Sequence, residues 1–242
     1  MVNPNKQNID VRPIVIGAYT LADKKTILQD AGGVIPRGAV LGIITMQTTA
    51  ASVTVSAITG TGNGTLTKDA TTPVLAGAKP GAYTVKCISA GAAAHHAGFE
   101  VRDPFGRLVG TFFFTTTGQS YTFSNEIKFA MVEGSTDFAI GDFFTFTIAA
   151  GSGKLKRSDP TAVDGSQYPT HIVTDEVDAT AADQSNVQCV KRADVREDGL
   201  VFTGSETLAT AVPLTGKTFR ELLEARNIYA IPGSTGSRYN NG

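Results

Sequence analysis

Phe143-Phe144-Thr145-Phe146-Thr147-Ile148-Ala149-Ala150-Gly151-Ser152-Gly153 contains both halves of the reading that decides the fold. Its first six residues are aromatic or β-branched and alternate with the period of a strand that buries one face. Three phenylalanines so placed cannot all point one way, so Phe144 and Phe146 face a core while Phe143 and Thr145 face out. The five residues that follow are small and break the pattern. A matching run, Thr48-Thr49-Ala50-Ala51-Ser52, stands far upstream. Paired small-residue junctions around a compact unit are what a domain inserted into a host shows, because its two ends must lie close together. One continuous barrel with loose loops is the alternative.

Between these junctions the chain holds 11 of the 13 Phe, enough for a core of its own. Strands are expected at Val53–Ile58, Tyr83–Ile88, Phe99–Arg102, Arg107–Phe114, Ile127–Val132 and Phe143–Ile148, spaced as in a small antiparallel, Ig-like sandwich. Asp103-Pro104-Phe105-Gly106 is a turn in which Pro presets φ and Gly closes, so Glu100-Val101-Arg102 should face Arg107-Leu108-Val109.

Outside the junctions the texture is less aromatic. Met1–Asp10 is polar and cannot offset its own ordering entropy, which predicts a flexible arm in the free protein. Extended runs follow at Val11–Ile16 and Val34–Met46, then at His171–Val173, Val187–Lys191 and Leu200–Thr203. Thr218 and Glu221 form a capping box for a short helix with Phe219, Leu222 and Leu223 on its apolar face, ending near Asn227. Gly233–Gly242 reads as a flexible tail.

Composition excludes several roles. With 21 Lys+Arg against 22 Asp+Glu and no basic run, a nucleic-acid partner is not expected. No stretch approaches the roughly 20 apolar residues of a membrane span, so no membrane partner is expected, and the start carries no secretion signal. Cys87 and Cys189 read as two buried thiols rather than a disulfide. Gly60-Thr61-Gly62-Asn63-Gly64-Thr65 opens no helix that could cap a phosphate, and Gly151-Ser152-Gly153-Lys154 lacks the spacing of a phosphate loop. His95, His96 and His171 are too scattered for a zinc set, and Asp175, Glu176, Asp178 and Asp183 lack calcium-loop spacing. No catalytic residue, metal ligand or cofactor is expected.

The outer segments resemble a known family. Ala31-Gly32-Gly33-Val34-Ile35-Pro36-Arg37-Gly38-Ala39-Val40-Leu41-Gly42 is similar to a glycine-spaced strand of the lambda-type bacteriophage head decoration proteins. The likeness continues in Gly153-Lys154-Leu155, Asp159-Pro160, Asp164-Gly165-Ser166-Gln167 and Asp175-Glu176-Val177-Asp178-Ala179-Thr180. The resemblance implies a mainly β protein: a discontinuous decoration domain (17–51 and 149–232) with one short C-terminal helix, interrupted by a sandwich (52–148). A capsid-binding arm (1–16) would precede it and the tail (233–242) follow. It also implies a homotrimer on the outer surface of the virion capsid, made in the host cytoplasm. That trimer would cement the major capsid protein at threefold sites, through an arm whose binding residues are Ile9, Val11, Pro13, Ile14, Val15 and Ile16. A second expectation is adhesion to host-surface glycan through the sandwich loops Thr59–Asp69 and Gly91–Ala97.

Overall fold

The computed structural model of the protein describes residues 14–16, 21–27, 33–90, 96–116 and 118–232. Its strands run β1 (Leu21–Ile27), β2 (Val40–Ile43), β3 (Val53–Val55), β4 (Thr65–Lys68), β5 (Gly81–Ala90), β6 (Ala97–Arg102) and β7 (Leu108–Phe114). Then come β8 (Ser120–Asn125), β9 (Ile127–Val132), β10 (Phe143–Ile148), β11 (Leu155–Arg157), β12 (Pro169–Val173), β13 (Gln184–Arg196) and β14 (Ile228–Ile231). One short helix, α1 (Phe219–Glu224), precedes the last strand. The protein is mainly β.

The first and last strands share one sheet, in the order β1-β11-β2-β12-β13-β14, and β1 also pairs with β13, which closes the first five into a ring. Alternation explains why this ring buries both of its faces at β12. Leu41, Val173 and Cys189 pack with Ile27, Ile35 and Leu155. Their neighbours Val40, Ile172 and Val190 pack the other way, against Leu208, Leu223 and Ile228. The segment from Leu200 to Ile231 therefore roofs one side of the ring, and α1 contributes Phe219 and Leu223 as its buried residues. The capping box forms: the Thr218 hydroxyl accepts from the Glu221 N–H at 3.3 Å, and Glu221 Oε2 accepts from the Thr218 N–H at 2.7 Å.

The middle strands form two further sheets, β3-β10-β5-β6-β7 and β4-β9-β8, antiparallel throughout. One apolar cluster spans both. Phe99 stacks on Phe112 with ring centroids 5.2 Å apart and meets Phe138 edge-on at 4.9 Å. Each fully buried aromatic contributes about 1.5–3 kcal/mol over its exposed state, which is why so Phe-rich a segment carries its own core. Phe144 and Phe146 are buried, with Phe143 and Thr145 half-buried, as the alternation requires. The hairpin forms with a bulge at Val101/Arg102. Asp103 fastens its turn by accepting from the Phe105 and Arg107 N–H groups, both at 2.9 Å.

The two chain crossings between ring and sandwich are not loose. Met46 bridges Ala150, the Gln47 N–H donates to the Ala149 carbonyl at 3.0 Å, and the Gly151 N–H donates to the Thr45 carbonyl at 2.8 Å. A Cβ on Gly151 would lie 2.3 Å from the Ile44 carbonyl oxygen, so the small residues here allow close approach of two backbones rather than flexibility.

Several strands differ from expectation. β1, β4, β8, β11 and β14 carry weak alternation or few apolar residues and were not expected as strands. Val34–Met46 reduces to β2 with single bridges at Ile35, Ala39 and Met46, and Leu200–Thr203 to one bridge, Val201 to Ala39. The helix stops at Glu224, because Asn227 takes the left-handed conformation (φ 60°) that closes it. Both cysteines are free and buried, Cys87 in the sandwich and Cys189 inside the ring. The expected arm Met1–Asp10 and tail Gly233–Gly242 lie outside the described residues.

Candidate functional site

Of the six arm residues singled out in the sequence, Ile9, Val11 and Pro13 lie outside the described residues. Ile14, Val15 and Ile16 lie along β13. The Ile16 N–H donates to the Asp194 carbonyl and the Arg196 N–H to the Ile14 carbonyl, both at 2.9 Å. On the opposite edge of β13, the Ala193 N–H donates to the Asn227 carbonyl at the start of β14, since successive residues of a strand point their polar groups to opposite edges. Ile14 is buried in a seat made by two glycines: a Cβ on Gly38 would fall 2.8 Å from its Cδ1, and one on Gly199 2.7 Å. Val15 is half-buried against the apolar cluster under α1, and Ile16 is exposed. Because Ile14 and Ile16 spend their polar groups on β13, Val15 turns its N–H and carbonyl away from it. No described residue takes up either one. The geometry is a three-residue root tied to the body, with an outer edge that no described residue covers.

A second feature lies where β12 and β13 pass the end of α1. Register assembles it: Ile172 pairs with Val190, which sets His171 beside Lys191, and Ala193 pairs with Ile228, which brings Arg226 and Asn227 to Arg192. Thr170, His171, Lys191, Arg192, Arg226 and Asn227 line a cleft of about 420 Å³ there. His171 is 4% exposed. Its Nδ1 lies 2.8 Å from Thr170 Oγ1 and its Nε2 has no partner. Burial, then the positive charge of Lys25, pushes its imidazole down to about 4, so it is neutral at physiological pH. Lys191 pairs with Asp23 at 3.3 Å, and Lys25 with the same carboxylate at 3.4 Å. The sequence offered no sign of this cleft, because its residues come from three separated stretches.

The glycine run of the sandwich does form an anion cradle, and the protein fills it itself. The Thr61 and Gly62 N–H groups donate to Asp142 at 3.0 and 2.9 Å, joined by the Ala139 N–H at 2.9 Å. Burial opposes ionisation, but these donors outweigh it and hold the Asp142 carboxyl below its usual range. Thr59–Asp69, expected as an exposed loop, is in its second half strand β4, with Leu66 buried. Gly91–His95 of the other expected loop lies outside the described residues. The acidic stretch is clamped too, since Val177 bridges Ile35 and Ala179 is fully buried. Among the described residues no group of three or more His, Cys, Asp and Glu is placed to hold a metal ion, and no helix is long and apolar enough to cross a membrane.

The family model described as bacteriophage lambda head decoration protein D matches residues 17–213, most of the chain. The chain belongs to the lambda head decoration protein family. The match takes in ring strands on both sides of the sandwich and stops short of α1 and β14. Membership in the head decoration family makes this a structural component of a phage head, with the capsid as its binding partner. No curated protein matches the chain. A crystal structure of FlgL from Xanthomonas campestris is similar over 48% of this chain and 33% of FlgL, at 22% identity and a TM-score of 0.27, too low to indicate a common fold.

Proposed function

We propose that this decoration protein sits on the outer surface of the expanded head as a homotrimer at threefold and quasi-threefold positions, and cements neighbouring major capsid subunits there. Residues 1–16 serve as the capsid-binding arm. Residues 17–51 and 149–232 form the decoration domain, 52–148 an inserted sandwich and 233–242 a tail. The observation that carries the reading is the root at Ile14–Ile16: Ile14 and Ile16 are bonded to β13, and the outer edge at Val15 has no partner among the described residues. An extended partner adding along an open edge gains main-chain hydrogen bonds, which need no special side chains. Each is worth only about 0.5–1.5 kcal/mol net, so three linked copies multiply a weak grip through effective concentration. A head-to-tail contact closing into a ring of three is consistent with the symmetry such a seat demands.

Purified protein added to expanded, undecorated heads should bind saturably and delay their rupture on heating. Deleting residues 1–13 while keeping Ile14–Ile16 should leave the circular dichroism, melting temperature and trimer mass unchanged and abolish head binding. Undiminished binding of the truncated protein would refute the role of the arm, and a monomeric mass for the intact protein would refute the trimer.

A further inference from the structure

A unit inserted into a host moves relative to it by default, and a two-stranded ribbon is a marginal support by itself. Here the ribbon between ring and sandwich is continuous. It begins with Leu155 beside Ile43 in the ring and ends with Ile148 beside Val53 in the sandwich. Between them the Ile44 N–H donates to the Lys154 carbonyl at 3.0 Å and the Gly151 N–H to the Thr45 carbonyl at 2.8 Å. One place interrupts the ladder. The Ala149 carbonyl accepts from the Gln47 N–H at 3.0 Å, while the Ala149 N–H donates to the Ser52 carbonyl at 3.3 Å. Residues 48–51 are therefore looped out, and a bulge of this kind is where a ribbon bends.

The loop is closed from within by a short 3₁₀ turn, Ala50–Ser52, in which the Ser52 N–H and hydroxyl both donate to the Thr49 carbonyl. From outside it is held by a side chain of the other sheet. Lys68 stands on β4, and its ammonium donates to the carbonyls of Ala50 and Val53. Lys68 is half-buried and pairs with no carboxylate among the described residues, so its charge is met at the loop. Packing alone does not close this side, because a groove of about 410 Å³ opens beside the tie, between β3 and β4. The ion cluster of Lys79, Asp103, Arg107 and Glu126 joins residues of the sandwich only and cannot do the same work.

We propose that Lys68 is a latch. By pinning the looped-out residues to the second sheet it fixes the angle between ring and sandwich, so the two turn as one body. The sandwich is then carried as a stiff post rather than a swinging tether.

The test is the distance between one spin label on each body, read by double electron–electron resonance on the full chain. Labelled chains are diluted in excess unlabelled protein, so that each measured pair lies within one molecule. The labels go on Thr111→Cys in β7 and Gln188→Cys in β13, both exposed, while the native Cys87 and Cys189 are fully buried. The otherwise unaltered protein should give one narrow peak, as wide as the label side chains alone make it. Lys68→Met keeps the stem and loses the donors, and should widen the peak at least about twofold, as a released hinge does. Lys128→Ala removes an ion pair with Asp69 in the same sheet without touching the loop, and should leave the peak narrow. Far-ultraviolet spectra matching that of the intact protein separate motion from unfolding. A broad or double peak without the Lys68 substitution would overturn the proposal. So would an unchanged width in Lys68→Met, or a Lys128→Ala peak as wide as that of Lys68→Met. None of these readings depends on the trimer or on the arm.

Discussion

His171 shows how a single residue turns register into a measurable property. It sits on β12, buried at every position, so its ring has to be desolvated to join the fold. In the unfolded chain it takes up a proton below about pH 6.5, whereas in the folded protein burial and Lys25 hold it neutral down to about 4. Between these values the unfolded state binds more protons, so stability is complete above pH 6.5 and falls as pH drops towards 4. The full effect is roughly 3 kcal/mol at most. Denaturant melts at pH 7, 5.5 and 4 should show this decline. A His171→Gln variant should flatten it within that window, whatever it does to the value at pH 7. A slope unchanged by the substitution would mean that another group titrates there. Asp103, held down to about 2 first by Lys79, loses its proton-free form only at lower pH and leaves the window clear.

At the level of elements, what is local in cause was legible in the sequence. Six residues are too few for a helix to stand by propensity alone, so α1 depends on its cap and on Phe219 and Leu223 beneath it. Thr218→Ala removes the acceptor for the Glu221 N–H and should cost about 1 kcal/mol, read as a lower melting temperature with an unchanged far-ultraviolet spectrum. A Thr218→Ser variant should recover most of the loss, since it keeps the hydroxyl. The cap, the Asp103 turn and the Phe144/Phe146 alternation share this property: neighbours a few positions apart decide them. β1 is the opposite case. Its sequence, Leu-Ala-Asp-Lys-Lys-Thr-Ile, has no apolar alternation, and it becomes a strand because β13 lies beside it and Lys191 and Lys25 hold Asp23. β4 buries only Leu66, and β11 has three residues. Long-range pairing made these strands, and no window of sequence contains it. The same reason hid the His171 cleft, while Ile14–Ile16 was visible because β-branched residues in a row announce an extended segment wherever it lands.

For the whole molecule, the question is whether ring and sandwich depend on one another. Their apolar cores are separate clusters, apart from Met46, which belongs to the sandwich although it stands just outside the junction. The two crossings run side by side, with Met46 bridging Ala150, so the chain ends left by cutting out the sandwich would already be neighbours. Among the described residues the β14 side, the Ile14–Ile16 root and the edge of β1 before its single pairing with β11 at Ile27 are left open, and none of these is at the cut. Replacing residues 47–149 by a two-residue Gly-Ser turn should therefore leave the ring folded, with Met46 changed to Thr to spare water an exposed apolar side chain. If the insertion reading is right, the shortened protein keeps the trimer mass and the head binding proposed for the full chain, and it melts in one transition within a few degrees of the ring's own. Residues 46–150 expressed alone should fold as well, since their aromatic core is complete. A shortened chain that aggregates while the isolated sandwich folds would show that the ring borrows stability across the junction. The contact near Gly77, where a Cβ would lie 3.7 Å from Leu214 Cδ1, would then be the first place to look.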